Sequence, residues 1–136
     1  MTSFPLKIVT PDGLIFDGQA EEIVVRTTSG DMGVLAGHIN CVAPLGMGQA
    51  MILSEGKKRY AACIGGMLSV VNGEVTLVPT TFEWADAIDL NRAERAYERA
   101  QNAISSKDST DMDIRMAEAR LKRALIRKSV ASNYRR

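Results

Sequence analysis

Residues 82–100, FEWADAIDLNRAERAYERA, mark the point at which the chain changes character. Upstream of this stretch, short β-branched runs alternate with glycine-containing turns. Downstream of it, alanine and arginine dominate, and apolar residues recur every three or four positions. Alternation is typical of strands, whereas a period of about 3.6 residues is typical of helices. The stretch therefore predicts a segregated α+β protein whose two parts divide after residue 86.

The first part, residues 1–86, is predicted to form an antiparallel β-sandwich or flattened barrel. Turn signals run from PDG (11–13) to NG (72–73) and recur about every 8–12 residues, the spacing of sandwich strands. The stretch VVNGEVTLV (70–78) gives the clearest hairpin. Asn-Gly readily adopts the positive φ angles of a type I′ turn, so the turn is predicted at this dipeptide.

The second part, residues 87–136, is predicted to form an antiparallel two-helix hairpin. The polar break SSKDSTD (105–111) separates its helices, and either Ser109 or Thr110 is placed to cap the second one. The apolar positions that recur at helical spacing are expected to form the seam between the helices. They are Ala93, Ala96, Tyr97, Ala100 and Ile104 in the first helix, and Ile114, Ala117, Leu121 and Leu125 in the second.

Composition argues against several functional classes. The chain has one histidine and no G-x-x-x-x-G-K-[ST] phosphate loop, so neither a metal site nor a phosphate-loop enzyme is expected. Cys41 and Cys63 lie in apolar surroundings and are predicted to be buried free thiols. No run approaches the roughly 20 apolar residues of a membrane span. The sequence therefore predicts neither catalysis nor membrane insertion.

Charge is distributed unevenly along the chain. Residues 1–86 hold 5 basic and 9 acidic residues, a net charge of −4, whereas residues 87–136 hold 12 and 7, a net charge of +5. A basic tail on a nearly neutral protein suggests a local anionic partner. Aromatic residues amount to only 5% and are not interleaved with the basic ones, which disfavours a nucleic-acid partner.

The arginines of the helical part leave two interpretations open. Arg92 and Arg99 are two helical turns apart and share a face, as do Arg123 and Arg127, which are one turn apart. If these faces adjoin in the closed hairpin, two rows of guanidinium groups converge, and guanidinium matches phosphate oxygens bidentately. The alternative is a solvated charged face. Asp89 likewise has a purely structural alternative, that of a helix N-cap.

Four segments, in this order, resemble the epsilon subunit of bacterial F-type ATP synthases. They are VTPDGLIFDG (9–18), SGDMGVLAGH (29–38), YAACIGGMLSVVNGEVTLV (60–78) and ADAIDLNRAERA (85–96). The resemblance covers nearly the whole chain. It implies an N-terminal β-sandwich and a C-terminal helical hairpin in a non-catalytic subunit of the central rotor stalk.

The resemblance also implies partners and a location. The sandwich is expected to bind the gamma subunit and the c ring, with Asp31 and Met32 towards the c ring and His38 towards gamma. The hairpin is expected to permit turnover when folded down beside the sandwich. When extended along gamma, it is expected to obstruct ATP hydrolysis among the alpha and beta subunits. Such a subunit lies peripherally at the cytoplasmic face of the bacterial membrane.

The pattern Ile88-Asp89-x-x-Arg92-Ala93 looks like the ATP-binding motif of certain epsilon subunits, best known from bacilli. The resemblance implies that ATP is a regulatory ligand, that no cofactor is required, and that Glu83, Arg99, Arg123 and Arg127 complete the site. Two alternatives remain: the same rotor subunit without a nucleotide site, and a free-standing nucleic-acid-binding module.

Overall fold

The computed structural model describes residues 2–106, 108 and 110–134, and it resolves the chain into two compact units, Met1–Trp84 and Ala85–Arg136. The first unit contains ten strands in two sheets, and the second contains two helices that pack against each other. The predicted fold class, a β-sandwich followed by a helical hairpin, is confirmed.

Two five-stranded sheets form the sandwich, in the orders β2-β1-β9-β8-β5 and β10-β7-β6-β3-β4. The strands are β1 (Phe4–Thr10), β2 (Gly13–Ala20), β3 (Glu22–Thr27), β4 (Gly30–Leu35), β5 (Cys41–Pro44), β6 (Met47–Ser54), β7 (Lys57–Ile64), β8 (Met67–Val71), β9 (Glu74–Val78) and β10 (Thr81–Trp84).

Two tight turns set the register of neighbouring strands. Asn72 and Gly73 have φ angles of 49° and 83°, the positive pair that a type I′ turn requires, so the predicted hairpin between β8 and β9 is confirmed. Glu55 and Gly56 repeat this geometry between β6 and β7, with φ angles of 54° and 73°. A single slip at either turn would exchange the buried and exposed faces of the strands.

One strand pair departs from the predicted antiparallel arrangement. β1 lies parallel to β9, with Leu6 opposite Val75 and Ile8 opposite Leu77. The expectation came from hairpin turns, which constrain only strands adjacent in sequence. The whole of the chain between β1 and β9 connects this pair, so no turn dictates its direction.

The sandwich core lies between the inner faces of the two sheets. Its largest fully buried side chains include Leu6, Ile8, Ile23, Ile52 and Leu77. Cys63 belongs to this core, where burial raises the pKa of its thiol to about 12. The prediction of two buried free thiols holds for Cys63, but Cys41, on the edge strand β5, is only half-buried.

Aromatic contacts close one edge of the sandwich. Trp84, the last residue of β10, packs edge-on against Phe82 with ring centroids 4.9 Å apart. The guanidinium carbon of Arg59, on the neighbouring strand β7, lies 3.6 Å from the Trp84 ring centroid. Such a cation–π contact contributes about 0.5–1 kcal/mol at a partly exposed site.

The helical unit begins with a short 3-10 turn, Ala85–Ala87, followed by α1 (Leu90–Ser105) and α2 (Asp111–Tyr134). Alanines buried at seven-residue intervals line the contact between the helices. We call them the alanine seam: Ala93, Ala100, Ala117, Ala124 and Ala131. Small side chains allow the two helix backbones to approach closely, as the sequence predicts.

Leu125 was wrongly expected in this seam. Its side chain is 50% exposed, because the seam of α2 follows Ala117, Ala124 and Ala131. Leu125 lies about 100° around the helix from Ala124, since each residue advances the helix by that angle. Ile104, Ile114 and Leu121 are partly buried beside the seam.

A reciprocal pair of hydrogen bonds begins α2. The Asp113 N–H donates to Thr110 Oγ1, and the Thr110 N–H donates to Asp113 Oδ2, both at 3.1 Å. This capping box satisfies two backbone donors at the helix start. Thr110 therefore fulfils one of the two predicted caps, whereas Ser109 lies outside the described residues.

The capping box predicts a pH dependence at the start of α2. Hydrogen bonds from the Thr110 N–H and then from its side chain lower the pKa of Asp113 below the ordinary value of 3.8. Because the folded-state pKa is depressed, the stabilisation is present above about pH 4 and is lost as pH falls through the lowered pKa. Carbon-detected NMR titration of the Asp113 carboxyl should give a midpoint below 3.8, and Thr110→Ala should raise it only part of the way, because the Thr110 backbone N–H remains. A midpoint of 3.8 or higher in the unmodified chain would contradict the capping box.

Candidate ligand site on the helical hairpin

The Ile88–Ala93 motif begins α1, and most of its residues have structural roles. Ile88 is 1% exposed, and Ala93 is buried in the alanine seam. Asp89 is the N-cap, with Oδ1 accepting a hydrogen bond of 3.0 Å from the Arg92 N–H, so the predicted capping role is confirmed. The Arg92 side chain is exposed. The motif therefore fixes the start of α1 and presents one guanidinium to solvent.

The contribution of the Asp89 cap can be measured by substitution. Asp89→Ala removes the acceptor for the Arg92 N–H and should destabilise the hairpin by about 1 kcal/mol. Asp89→Asn keeps a capping oxygen and should leave stability nearly unchanged, because asparagine caps helices as well as aspartate does. Hydrogen exchange of the first-turn amides of α1 measures both effects. Equal protection in wild type and Asp89→Ala would show that the cap contributes nothing.

A cation–π contact connects the two helices. The ammonium nitrogen of Lys128, on α2, lies 4.9 Å from the ring centroid of Tyr97, on α1. The Gln101 Nε2, on the next turn of α1, donates to the Tyr97 hydroxyl at 3.2 Å. Tyr97 and Lys128 are both half-buried. Sequence analysis placed Tyr97 near the seam but missed Lys128, because nothing in the sequence indicates which residue of one helix faces which residue of the other.

This contact establishes which helix flanks adjoin. At about 100° per residue, Tyr97 lies about 50° to one side of the seam of α1, whereas Arg92 and Arg99 lie about 90° and about 110° to the other side. On α2, Lys128 lies about 40° to one side of the seam, whereas Arg127 and Arg123 lie about 60° and about 100° to the other. Since Lys128 contacts Tyr97, the flanks that carry these residues share one side of the hairpin. The four arginines therefore lie on the opposite side.

We call Arg92, Arg99, Arg123 and Arg127 the arginine flank. Arg92 and Arg99 are exposed, and Arg123 and Arg127 are half-buried. Four guanidinium groups along one side of a two-helix unit form a strongly cationic strip. An anion with several phosphate groups matches such a strip in charge and in hydrogen-bonding geometry.

An open depression of about 400 Å³ lies at the start of α1 and is lined by residues 87–91. Four of its lining residues, 88–91, belong to the motif, and Arg92 of the arginine flank is the next residue in the sequence.

Glu83, also predicted in the ligand site, lies on β10 of the sandwich unit. It stands opposite Ala62 of β7, and its side chain is half-buried. Its participation stays a prediction.

The predicted subunit-contact residues lie on, or just after, an edge strand of the sandwich. Asp31 and Met32 are on the edge strand β4, and His38 follows in the next turn. Asp31 Oδ1 accepts from Arg26 Nε at 3.1 Å across the β3–β4 pair. His38 Nδ1 lies 2.8 Å from the Ile39 carbonyl oxygen. Arg26 was not expected here, although its position opposite Asp31 follows from the tight turn between the two strands.

Two features are absent from residues 2–106, 108 and 110–134. Within those ranges, no three histidine, cysteine, aspartate or glutamate residues are grouped as metal ligands. Within the same ranges, no helix combines the length and apolarity needed to cross a bilayer.

Comparison with known proteins identifies the family. Residues 3–85 match the family model described as "ATP synthase, Delta/Epsilon chain, beta-sandwich domain", and residues 86–132 match "ATP synthase, Delta/Epsilon chain, long alpha-helix domain". The ATP synthase epsilon chain of Bacillus velezensis is 43% identical over 133 residues, covering 98% of this chain and 100% of that relative. The chain belongs to the epsilon chains of bacterial F-type ATP synthases. Epsilon chains are non-catalytic stalk subunits, and the catalytic sites lie in the beta subunits.

Other epsilon chains and a solved synthase support the same conclusion. The epsilon chain of Bacillus subtilis is 44% identical over 115 residues, covering 85% of this chain and 86% of the relative. Among solved structures, a chain of the Euglena gracilis mitochondrial ATP synthase (OSCP/F1/c-ring, rotational state 1) has a TM-score of 0.83 at 26% identity. The match covers 95% of this chain and 81% of that one.

Proposed function

We propose that this epsilon chain binds ATP on the arginine flank and uses it as a regulatory ligand for the helical hairpin. The observation that carries the proposal is the presence of all four arginines on one side of the hairpin, two from each helix. The motif that looks like the ATP-binding sequence of bacillar epsilon subunits lies at the start of α1 and includes Arg92 of this flank. Epsilon chains from several Bacillus species are also among the relatives of this chain.

Charge explains why a polyphosphate would favour the closed hairpin. Arg92 and Arg99 on α1 and Arg123 and Arg127 on α2 carry like charges, which repel one another when the helices pack together. A triphosphate between them would reverse the sign of that interaction. Because the contacts from both helices exist only in the closed hairpin, ATP would bind this state more tightly and shift the population towards it.

ATP acts in this proposal as a signal and is not consumed. The sequence has no phosphate loop, and its one histidine lies in the sandwich. A closed hairpin permits turnover of the synthase, whereas an extended hairpin reaches the alpha and beta subunits and obstructs ATP hydrolysis. The concentration of ATP would therefore set how readily the synthase hydrolyses it.

We further propose that the sandwich attaches the chain to the rotor and so couples ion translocation to ATP synthesis. Asp31 and Met32 would face the c ring, and His38 would lie towards gamma, at the cytoplasmic face of the bacterial cell membrane. All three lie on or just after the edge strand β4, which supports a shared contact surface. The chain itself would not insert into the bilayer, and no nucleic acid would be among its partners. Retention on immobilised gamma, and not on DNA, tests this attachment.

Calorimetric titration of the isolated chain with ATP tests the regulatory site. We expect saturable binding of one ATP per chain, with NMR shift changes at α1 and α2. AMP is the matched control ligand, because it keeps the nucleoside and removes two phosphates; it should bind far more weakly. If millimolar ATP produces neither heat nor shift changes, the ATP-site proposal fails, and the chain is a rotor subunit without a nucleotide site.

A further inference from the structure

The alanine seam leaves the alignment of the two helices underdetermined. It presents two alanines on α1 and three on α2, each separated by seven residues. Sliding α2 by one such interval, about 10 Å along the helix, would again place alanine against alanine. A seam of identical small side chains therefore does not by itself distinguish one register from the next.

A contact outside the seam distinguishes them. In the observed register, the ring of Tyr97 receives the ammonium group of Lys128 at 4.9 Å. After a shift of one interval, Leu121 would occupy the place of Lys128, and the cation–π contact would be lost. The Tyr97 hydroxyl also accepts a hydrogen bond from Gln101 Nε2, one turn further along the same helix.

We propose that Tyr97 and Lys128 form a clasp that sets the register of α2 and thereby positions Arg123 and Arg127 along α1 relative to Arg92 and Arg99. Tyr97 and Lys128 are positioning residues in this scheme, because they lie on the side of the hairpin away from the arginine flank. The inference rests on the proposed ATP site and specifies how the chain arranges it. The clasp also attracts the two helices on one side while the arginines repel on the other.

Substitutions at the clasp separate the effect of the cation–π contact from the effect of side-chain size. Tyr97→Leu keeps an apolar side chain and good helix propensity but removes the aromatic face, and Lys128→Gln keeps length but removes the charge. Each should weaken ATP binding about three- to tenfold, the range expected from loss of a partly buried cation–π contact. The double variant should bind no more weakly than either single variant, since both remove the same contact.

Conservative replacements and a matched lysine provide the controls. Tyr97→Phe keeps the ring face and Lys128→Arg keeps a cation that can lie over it, so both should retain near wild-type affinity. Lys122→Gln removes the same charge from the same helix at an exposed position on the side away from the seam, and it should also bind normally. If Lys122→Gln and Lys128→Gln lose equal ATP affinity, the loss is explained by net charge alone, and the clasp is overturned.

A spectroscopic readout tests the clasp without ATP. In the wild-type chain, the side-chain methylene protons of Lys128 should be shifted upfield by the Tyr97 ring current and should show nuclear Overhauser contacts to that ring. Tyr97→Leu should abolish the upfield shift, whereas Tyr97→Phe should preserve it. If the contact is absent in the wild-type chain, or if both clasp variants bind ATP normally, the clasp is refuted. If the contact is present but the wild-type chain binds no ATP, the proposed ATP function and the positioning role for it fail, while the register assignment stands.

Discussion

Replacing Arg99 or Arg123 by alanine is expected to weaken ATP binding by about tenfold to a hundredfold. Each substitution removes one guanidinium from the arginine flank, and hydrogen bonds to charged groups contribute about 1.5–3 kcal/mol each. The two residues lie on different helices, so comparable losses at both would indicate that one ligand contacts α1 and α2 together. Calorimetric titration of each purified variant with ATP gives the ratio directly.

The control for this experiment is Lys122→Ala. Lys122 is exposed on α2 and lies about 160° around the helix from the seam, so its removal changes net charge without touching the arginine flank. Its affinity should remain within about twofold of wild type, because one exposed charge that is largely screened contributes little. An Arg123→Ala variant that binds as tightly as Lys122→Ala would refute the site.

The second large effect is expected at Gly66, in the tight turn between β7 and β8. Its φ angle is +96°, and a Cβ atom there would lie 2.0 Å from the Val78 carbonyl oxygen and 2.6 Å from the Pro79 Cα. Both neighbours are backbone, which cannot rotate away as a side chain would. Gly66→Ala should therefore destabilise the sandwich by about 3 kcal/mol or more, measured by urea unfolding.

Gly73 provides a matched comparison for Gly66. It has a similar φ angle of +83°, but nothing lies within 4 Å of a Cβ atom built there. Gly73→Ala should therefore cost only the conformational penalty of the left-handed region, about 1–2 kcal/mol. Equal destabilisation by the two substitutions would show that the contact with Val78 and Pro79 adds nothing.

Local patterns predicted the sandwich where the decisive contacts are local. The Asn72-Gly73 turn follows from the intrinsic preference of that dipeptide for positive φ angles, and so it was predicted from sequence. The parallel pairing of β1 with β9 was missed, because it depends on how distant strands share one core. Glu55-Gly56 carries the same turn signal in a weaker form, since glutamate seldom adopts a positive φ angle.

The candidate site shows the same division. Helical periodicity alone predicted that Arg92 and Arg99 share a face, and the cap at Asp89 follows from its place before the first helical turn. The side on which the second pair of arginines lies depends on the rotation of α2. The buried alanines of α2 and the contact between Tyr97 and Lys128 revealed that rotation, and no pairwise rule connects these residues in sequence. Leu125 was misplaced for the same reason, because the rotation of α2 places Ala124 in the seam and leaves Leu125 exposed.

The lone tryptophan makes the two units optically separable. Trp84 is the only tryptophan of the chain and closes the sandwich with Arg59 over its ring and Phe82 at its edge. Its fluorescence consequently reports the melting of the sandwich. Circular dichroism at about 222 nm, a helix-sensitive wavelength, is dominated by α1 and α2. Following both signals in one denaturation experiment assigns each substitution to the unit it disturbs. Noncoincident transitions would show that the sandwich and the hairpin melt as separate cooperative systems.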